Sequence, residues 1–105
     1  MKWYEKIIAA HLAVTDQVSH GGRMRSDRYF VWQEDGADDL ILGGAHGEKA
    51  VTGSTDLFTK LEFDPWKEKF EAAMDARDGI SWELNSVQYE EDTGYWHYRW
   101  MWSVI

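Results

Sequence analysis

Four histidines, a glycine-rich run and a few clusters of carboxylates are the groups in this chain that could do chemistry. His11, His20, His46 and His97 stand far apart, and none has a metal-ligand spacing to another histidine or to cysteine, which is absent. His46-Gly47-Glu48 sets an imidazole near a carboxylate, but its glycine neighbours do not preorganise a ligand set. The run GGAHGEKAVTGST has the glycine content of a phosphate loop. Glu48 nevertheless separates Gly47 from Lys49, so the Gly-Lys-Ser/Thr step that places a lysine on a phosphate is missing, and a surface loop is expected. Asp38-Asp39 and Glu90-Glu91-Asp92 fall in expected turns, whereas two-carboxylate hydrolysis needs a pair held across a cleft. No Gly-x-Ser-x-Gly elbow and no thiol nucleophile are present. The expectation is a protein without catalytic residues, metal or cofactor.

The elements that would position these groups follow from periodicity. Lys2 to Val14 is expected to be an amphipathic helix with Trp3, Ile7, Ile8, Leu12 and Val14 towards the core, and His11 beside that face as a packing residue. Ser19 to Asp27 follows as a loop. Arg28 to Glu34 has the aromatic and β-branched content of a strand, and its consecutive apolar residues predict cover on both faces. Asp35 to Asp39 is expected to turn, and Leu40 to Ser54 to be a short strand and a mobile loop. Thr55 to Leu61 is a second strand, with Leu57 and Thr59 on one face and Phe58 on the other. A second helix starts at Asp64 as N-cap with Pro65 in the first position, carries the stripe Trp66, Phe70, Ala73 and Met74, and closes at Gly79. Ser81 to Glu90 and Tyr95 to Val104 make a hairpin with Gly94 in the left-handed position. This order predicts one α+β domain over residues 1–105, with two helices packed on a mainly antiparallel β-sheet and a C-terminal β-hairpin.

The last strand alternates strictly. Trp96, Tyr98, Trp100, Trp102 and Val104 share one face, and Tyr95, His97, Arg99, Met101 and Ser103 share the other. Each large ring buried is worth roughly 1.5–3 kcal/mol, so this strand belongs in the core. Trp66, Phe70, Met74, Trp82, Trp100 and Trp102 are the expected core residues. The partner strand offers Trp82 and Leu84 on one parity and Val87 and Tyr89 on the other, which predicts a hairpin apolar on both faces and therefore oligomerisation.

At 105 residues with a formal net charge of −8, the chain is an acidic single domain, ill-suited to holding a nucleic-acid backbone. No apolar run is long enough to span a bilayer, and MKWYEKIIAAHLAV lacks a cleavage pattern, so a soluble intracellular protein that does not engage a membrane is expected.

TGSTDLFTKLEFDPW (Thr52 to Trp66), the helix after it, and GISWELNSVQYEEDTGYWHYRWMWSVI (Gly79 to Ile105) together resemble small proteins from the structural-gene clusters of tailed phages and prophages. The order of elements is similar to that of the tail terminator, or tail-completion, proteins. The resemblance implies a non-enzymatic virion protein that forms a ring, typically a hexamer, capping the tail tube and docking on the head–neck connector. It implies partners in the major tail protein, the connector and copies of itself, with assembly in the host cytoplasm and DNA only passing through an acidic bore. In such proteins long loops contact the tube or a neighbour. The expected interface is one hairpin face, Tyr89, Tyr95 and Met101 with Arg99, and the loop residues Arg23, Arg25 and His46. An acidic inhibitor that mimics DNA against a host defence enzyme, or another neck or minor capsid component, is the alternative.

Overall fold

The computed structural model describes residues 2–40 and 48–105. The elements run α1 (Trp3–Leu12), β1 (Val18–His20), β2 (Arg28–Leu40), β3 (Glu48–Thr59), α2 (Trp66–Asp75), β4 (Ile80–Glu90) and β5 (Tyr95–Val104). The strands form one five-stranded sheet in the order β1-β2-β3-β5-β4, antiparallel except where the three-residue β1 runs parallel to β2. The α+β class, the two helices and the terminal hairpin are as expected.

Both helices cover one face. Ile7 and Ala10 of α1 and Phe70, Ala73 and Met74 of α2 pack with Phe30, Trp32, Leu57, Tyr98, Trp100, Trp102 and Val104 in a single cluster. Of the expected core residues, Phe70, Met74, Trp100 and Trp102 are buried, while Trp66 and Trp82 are partly buried against the cluster. Trp100 is the largest fully buried side chain, and its indole N–H donates to Glu71 Oε2 at 3.0 Å. The α2 start is built as the sequence predicts: Asp64 Oδ1 accepts the Trp66 amide at 2.9 Å, and Pro65 opens the helix with φ −65°. Gly79 has the left-handed φ of +86°, but it lies in the turn into β4, since the helix already ends at Asp75.

Four expectations about local structure are corrected. First, α1 is rotated: His11 joins Ile7 and Ala10 as the buried face, while Ile8 and Leu12 remain 38% and 57% exposed. A buried histidine is acceptable here because both ring nitrogens have partners, as described below. Second, Asp35 to Asp39 do not turn. The strand continues through a bulge at Asp35, where the pairing steps from Glu34↔Gly53 to Gly36↔Thr52. Third, β3 begins at Glu48, so much of the expected loop is strand. Fourth, Val18 to His20 form β1, tied by Phe30 N–H to Gln17 O and Gly21 N–H to Trp32 O.

A second bulge, at Asn85, removes the premise for oligomerisation through a hairpin apolar on both faces. Leu84 pairs with Trp100, Ser86 with Arg99, and Val87 with Tyr98, so the strand's parity changes at Asn85. Directly paired residues share a face. Ile80, Trp82, Leu84, Val87 and Tyr89 therefore all lie on the helix side, and Ser81, Glu83, Ser86, Gln88 and Glu90 on the other. One inserted residue makes β4 cleanly amphipathic.

Candidate interaction surfaces

The face of the sheet away from the helices is covered at one end by the segment between β1 and β2. Tyr29, Val31 and Phe58 form a second small buried cluster with Met24 and Tyr95 against it. Arg23 lays its guanidinium 4.1 Å from the centre of the Phe58 ring, donates through Nε to the Tyr29 hydroxyl, and approaches Glu90 at 4.0 Å. The Tyr95 hydroxyl donates to Ser26 O at 2.5 Å, and Lys60 sits 3.9 Å over the Tyr95 ring. The expected cover on both faces of β2 is real, and it is supplied from within the chain.

Next to this cluster, the His97 ring stacks on Phe58 with centroids 4.2 Å apart. Its Nε2 lies 2.7 Å from Asp56 Oδ1 and its Nδ1 3.5 Å from Glu90 Oε2, and Arg99 Nε donates to the same Asp56 oxygen at 3.0 Å. Both imidazole nitrogens face carboxylates. Among the described residues no group of three His, Asp or Glu side chains has the arrangement of a metal site. Further along this face Thr52 pairs with Ser103, Ser54 with Met101, and Met101 with Glu83, so Met101 stands among polar neighbours.

The residues expected at an interface are thus divided. Arg23, Tyr95 and Arg99 come together on the open face, the first two in structural contacts. Met101 lies further along the same face and is partly exposed, and Arg25 is exposed in the covering segment. Tyr89 is on the opposite face from Tyr95 and Met101, against Trp96 at 4.8 Å, because the bulge at Asn85 carries it there. His46 lies outside the described residues.

Two features of the helix side were not expected. The buried His11 closes a hydrogen-bond chain. Nδ1 is 2.7 Å from Ile7 O, a pure acceptor, so it carries the proton. Nε2 therefore accepts from Thr55 Oγ1 at 3.0 Å, and Thr55 Oγ1 in turn accepts the Trp102 indole N–H at 2.9 Å. Burial pushes the His11 pKa down to about 4, against a smaller opposing effect of the Ile7 carbonyl. Asp64 is a second buried titratable group. Burial pushes its carboxyl up, but the Arg28 fork (2.8 and 2.5 Å), the Trp66 N–H and the Thr59 hydroxyl outweigh this and leave it below its usual value. Arg28 also lies 3.7 Å over the Trp66 ring. Both groups hold elements together.

The second feature is a groove of about 380 Å³ between α1 and the β1 edge. One wall is the outer stripe of α1, Tyr4, Ile8 and Leu12, each more than a third exposed. Trp3 and Trp32 meet edge to face at 6.4 Å inside it. His20 stacks on Trp32 at 3.9 Å and holds Glu34 Oε1 at 2.7 Å, which draws the Glu34 carboxyl below its usual pKa. Asp16 and Val18 complete the lining. The signal in the sequence was the i, i+4, i+8 spacing of Tyr4, Ile8 and Leu12, which also describes a core stripe.

No protein-family model matches the chain, and no curated protein matches it significantly.

Proposed function

We propose that the chain is a non-enzymatic structural subunit of a tailed phage or prophage, a tail terminator that assembles with copies of itself into a ring at the head-proximal end of the tail. The ring would cap the tail tube, dock the head–neck connector and let DNA pass. The observation that supports this most is the pair of unlike sheet edges. A ring is built from heterologous contacts, in which two different surfaces of one subunit meet on its neighbours. On one side β4 is an 11-residue strand that, among the described residues, pairs with β5 alone, with Val87 and Tyr89 exposed (45% and 50%) on its helix face. On the other, β2 runs far past β1 and, with β3, forms an arm in which Asp38 pairs with Ala50, Asp39 with Lys49 and Leu40 with Glu48. An arm of this kind gives a subunit reach to a neighbour or to the tube. The acidic residues along β2 suit a bore that must not hold a polyanion. No helix among the described residues is long and apolar enough to cross a membrane.

Light scattering on the purified chain should give a multiple of 12.3 kDa, and Val87→Asp with Tyr89→Asp should reduce it. Deleting the gene from an inducible phage should leave heads and tails unjoined, or tails of uncontrolled length. Normal virions from the deletion would overturn the reading. Glu34 and Asp35, exposed side by side on β2, also favour a second reading, an inhibitor whose carboxylates stand in for DNA phosphates. Salt-sensitive capture of a host nuclease, with normal virions, would select that one.

A further inference from the structure

Resting on the ring reading above, we propose that the groove between α1 and the β1 edge receives Val87 and Tyr89 of a second copy of this chain, whose β4 adds to β1 as an antiparallel strand. Three features fit the two surfaces together. The first is their layer. Tyr4, Ile8 and Leu12 wall the groove on the helix side of the sheet, and Val87 and Tyr89 stand exposed on that same side at the opposite edge. A copy added edge to edge keeps its helices on the common side, so the two apolar patches cover each other. The second is their level. Val18 pairs with Phe30, Phe30 with Leu57, Leu57 with Tyr98 and Tyr98 with Val87, so one row of paired residues crosses the whole sheet from Val18 to Val87. Members of a ring are related by rotation without a shift along its axis. With the strands along that axis, Val87 of one copy arrives beside Val18 of the next. The row of Tyr89, Trp96, Thr59 and Arg28 sets Tyr89 level with Asp16, which stands two residues before Val18 as Arg28 stands two before Phe30. The pairings make β1 and β4 run in opposite directions. Phe30 N–H donates to Gln17 O and Gly21 N–H to Trp32 O, which turns the Val18 carbonyl and both backbone groups of His20 to the free edge. β4 carries neither lysine nor proline, the residues with which natural edges refuse a partner strand, and its bulge at Asn85 lies outside the docking half. The third feature is chemistry. The groove has apolar walls and the exposed Asp16 at the end where β1 begins. A tyrosine, apolar along its ring with one O–H donor at the tip, meets both: the ring packs on Ile8 and Leu12 and the hydroxyl donates to Asp16.

The test uses light scattering on two variants at exposed positions, each checked for folding by circular dichroism. Leu12→Asp blocks the groove and Tyr89→Asp blocks the edge, and each should weaken assembly at least about tenfold. Mixed in equal amounts where each alone is monomeric, they should form a 1:1 dimer, because one keeps its edge and the other its groove. A second measurement uses the absence of cysteine from the chain. Val18→Cys and Val87→Cys, mixed and oxidised, should give a disulfide-linked dimer that neither variant forms alone. Assembly of Leu12→Asp like the native chain, or no mixed disulfide in the assembled protein, overturns this contact and leaves the ring reading standing. Disulfide dimers of Val87→Cys alone also overturn it, since β4 then pairs with itself in a closed two-fold dimer. A native chain that stays monomeric at every concentration overturns both the contact and the ring.

Discussion

Protonating His11 should destabilise this protein, and the size of the effect follows from its surroundings. The imidazole is 0% exposed, stacked on Trp32 and packed against Phe30 and Phe70. Its Nε2 accepts from Thr55, so a proton arriving there would break the chain that runs on to Trp102 and would leave a cation in an aromatic core. The pKa of about 4 in the fold lies below the ordinary 6.5. Because the folded value is the lower one, this stabilisation is complete above pH 6.5 and is lost as pH falls towards 4. At about 1.4 kcal/mol per pKa step, the loss is about 3 kcal/mol, a large fraction of the roughly 5–15 kcal/mol typical of a domain. The assay is urea unfolding of the native chain and of His11→Gln at pH 7 and pH 4. The glutamine side chain cannot titrate, so carboxylate and other histidine effects cancel in the comparison. The variant should be the less stable at pH 7, and the gap should shrink by about 3 kcal/mol at pH 4. Parallel stability curves for the two proteins, or a His11 ring that titrates near 6.5 in the folded protein, would refute this reasoning.

Three further outcomes are expected from the packing. Asp64→Ala removes the α2 cap and strands the Arg28 guanidinium, and should cost about 3 kcal/mol in urea unfolding at pH 7; a loss below about 1 kcal/mol would contradict the buried pair. The Asp64 contribution has the opposite origin to that of His11 but the same direction, since a carboxyl held below its usual value stabilises above about pH 4 and loses this as pH falls further. Gly53→Ala places a Cβ 2.3 Å from the Trp102 ring and 2.5 Å from Gln33 O, and should lower the thermal midpoint by about 10 °C, through a cost of about 2 kcal/mol; an unchanged midpoint would show that the Trp102 ring can move aside. Deleting Asn85 should turn Val87 and Tyr89 away from Tyr98 and Trp96, losing at least the Tyr89–Trp96 ring pair, about 1 kcal/mol. Full stability of the deletion would refute the face assignment.

Several of these groups could be read from local pattern because local chemistry builds them. The α2 cap needs only an Asp-Pro step and an apolar stripe, and both act within one turn of helix. The β5 alternation places Tyr98, Trp100, Trp102 and Val104 in the core with no knowledge of the partner strands. Gly94 marks the hairpin turn by its left-handed φ of +75°. What local pattern misread are the positions where a partner decides. Asp35 and Asn85 are polar residues that read as a turn and as ordinary strand, and only cross-strand pairing makes them bulges. His11 looked marginal on its helix, and it is in the core because Thr55, distant in sequence, offers a donor.

By itself, the sequence determined the α+β class, the two helices, the hairpin and the core face of β5. These rest on the helix and strand periodicities and on cap chemistry, which act over a few neighbouring residues. Tertiary structure alone decided which side of α1 is buried, that β4 has one apolar face instead of two, and that Arg23 and Tyr95 come together on the open face. It also left a charged aromatic groove beside α1. The reason is physical: a side chain's face is set by register, and register is a property of pairs of strands that no single stretch of chain contains.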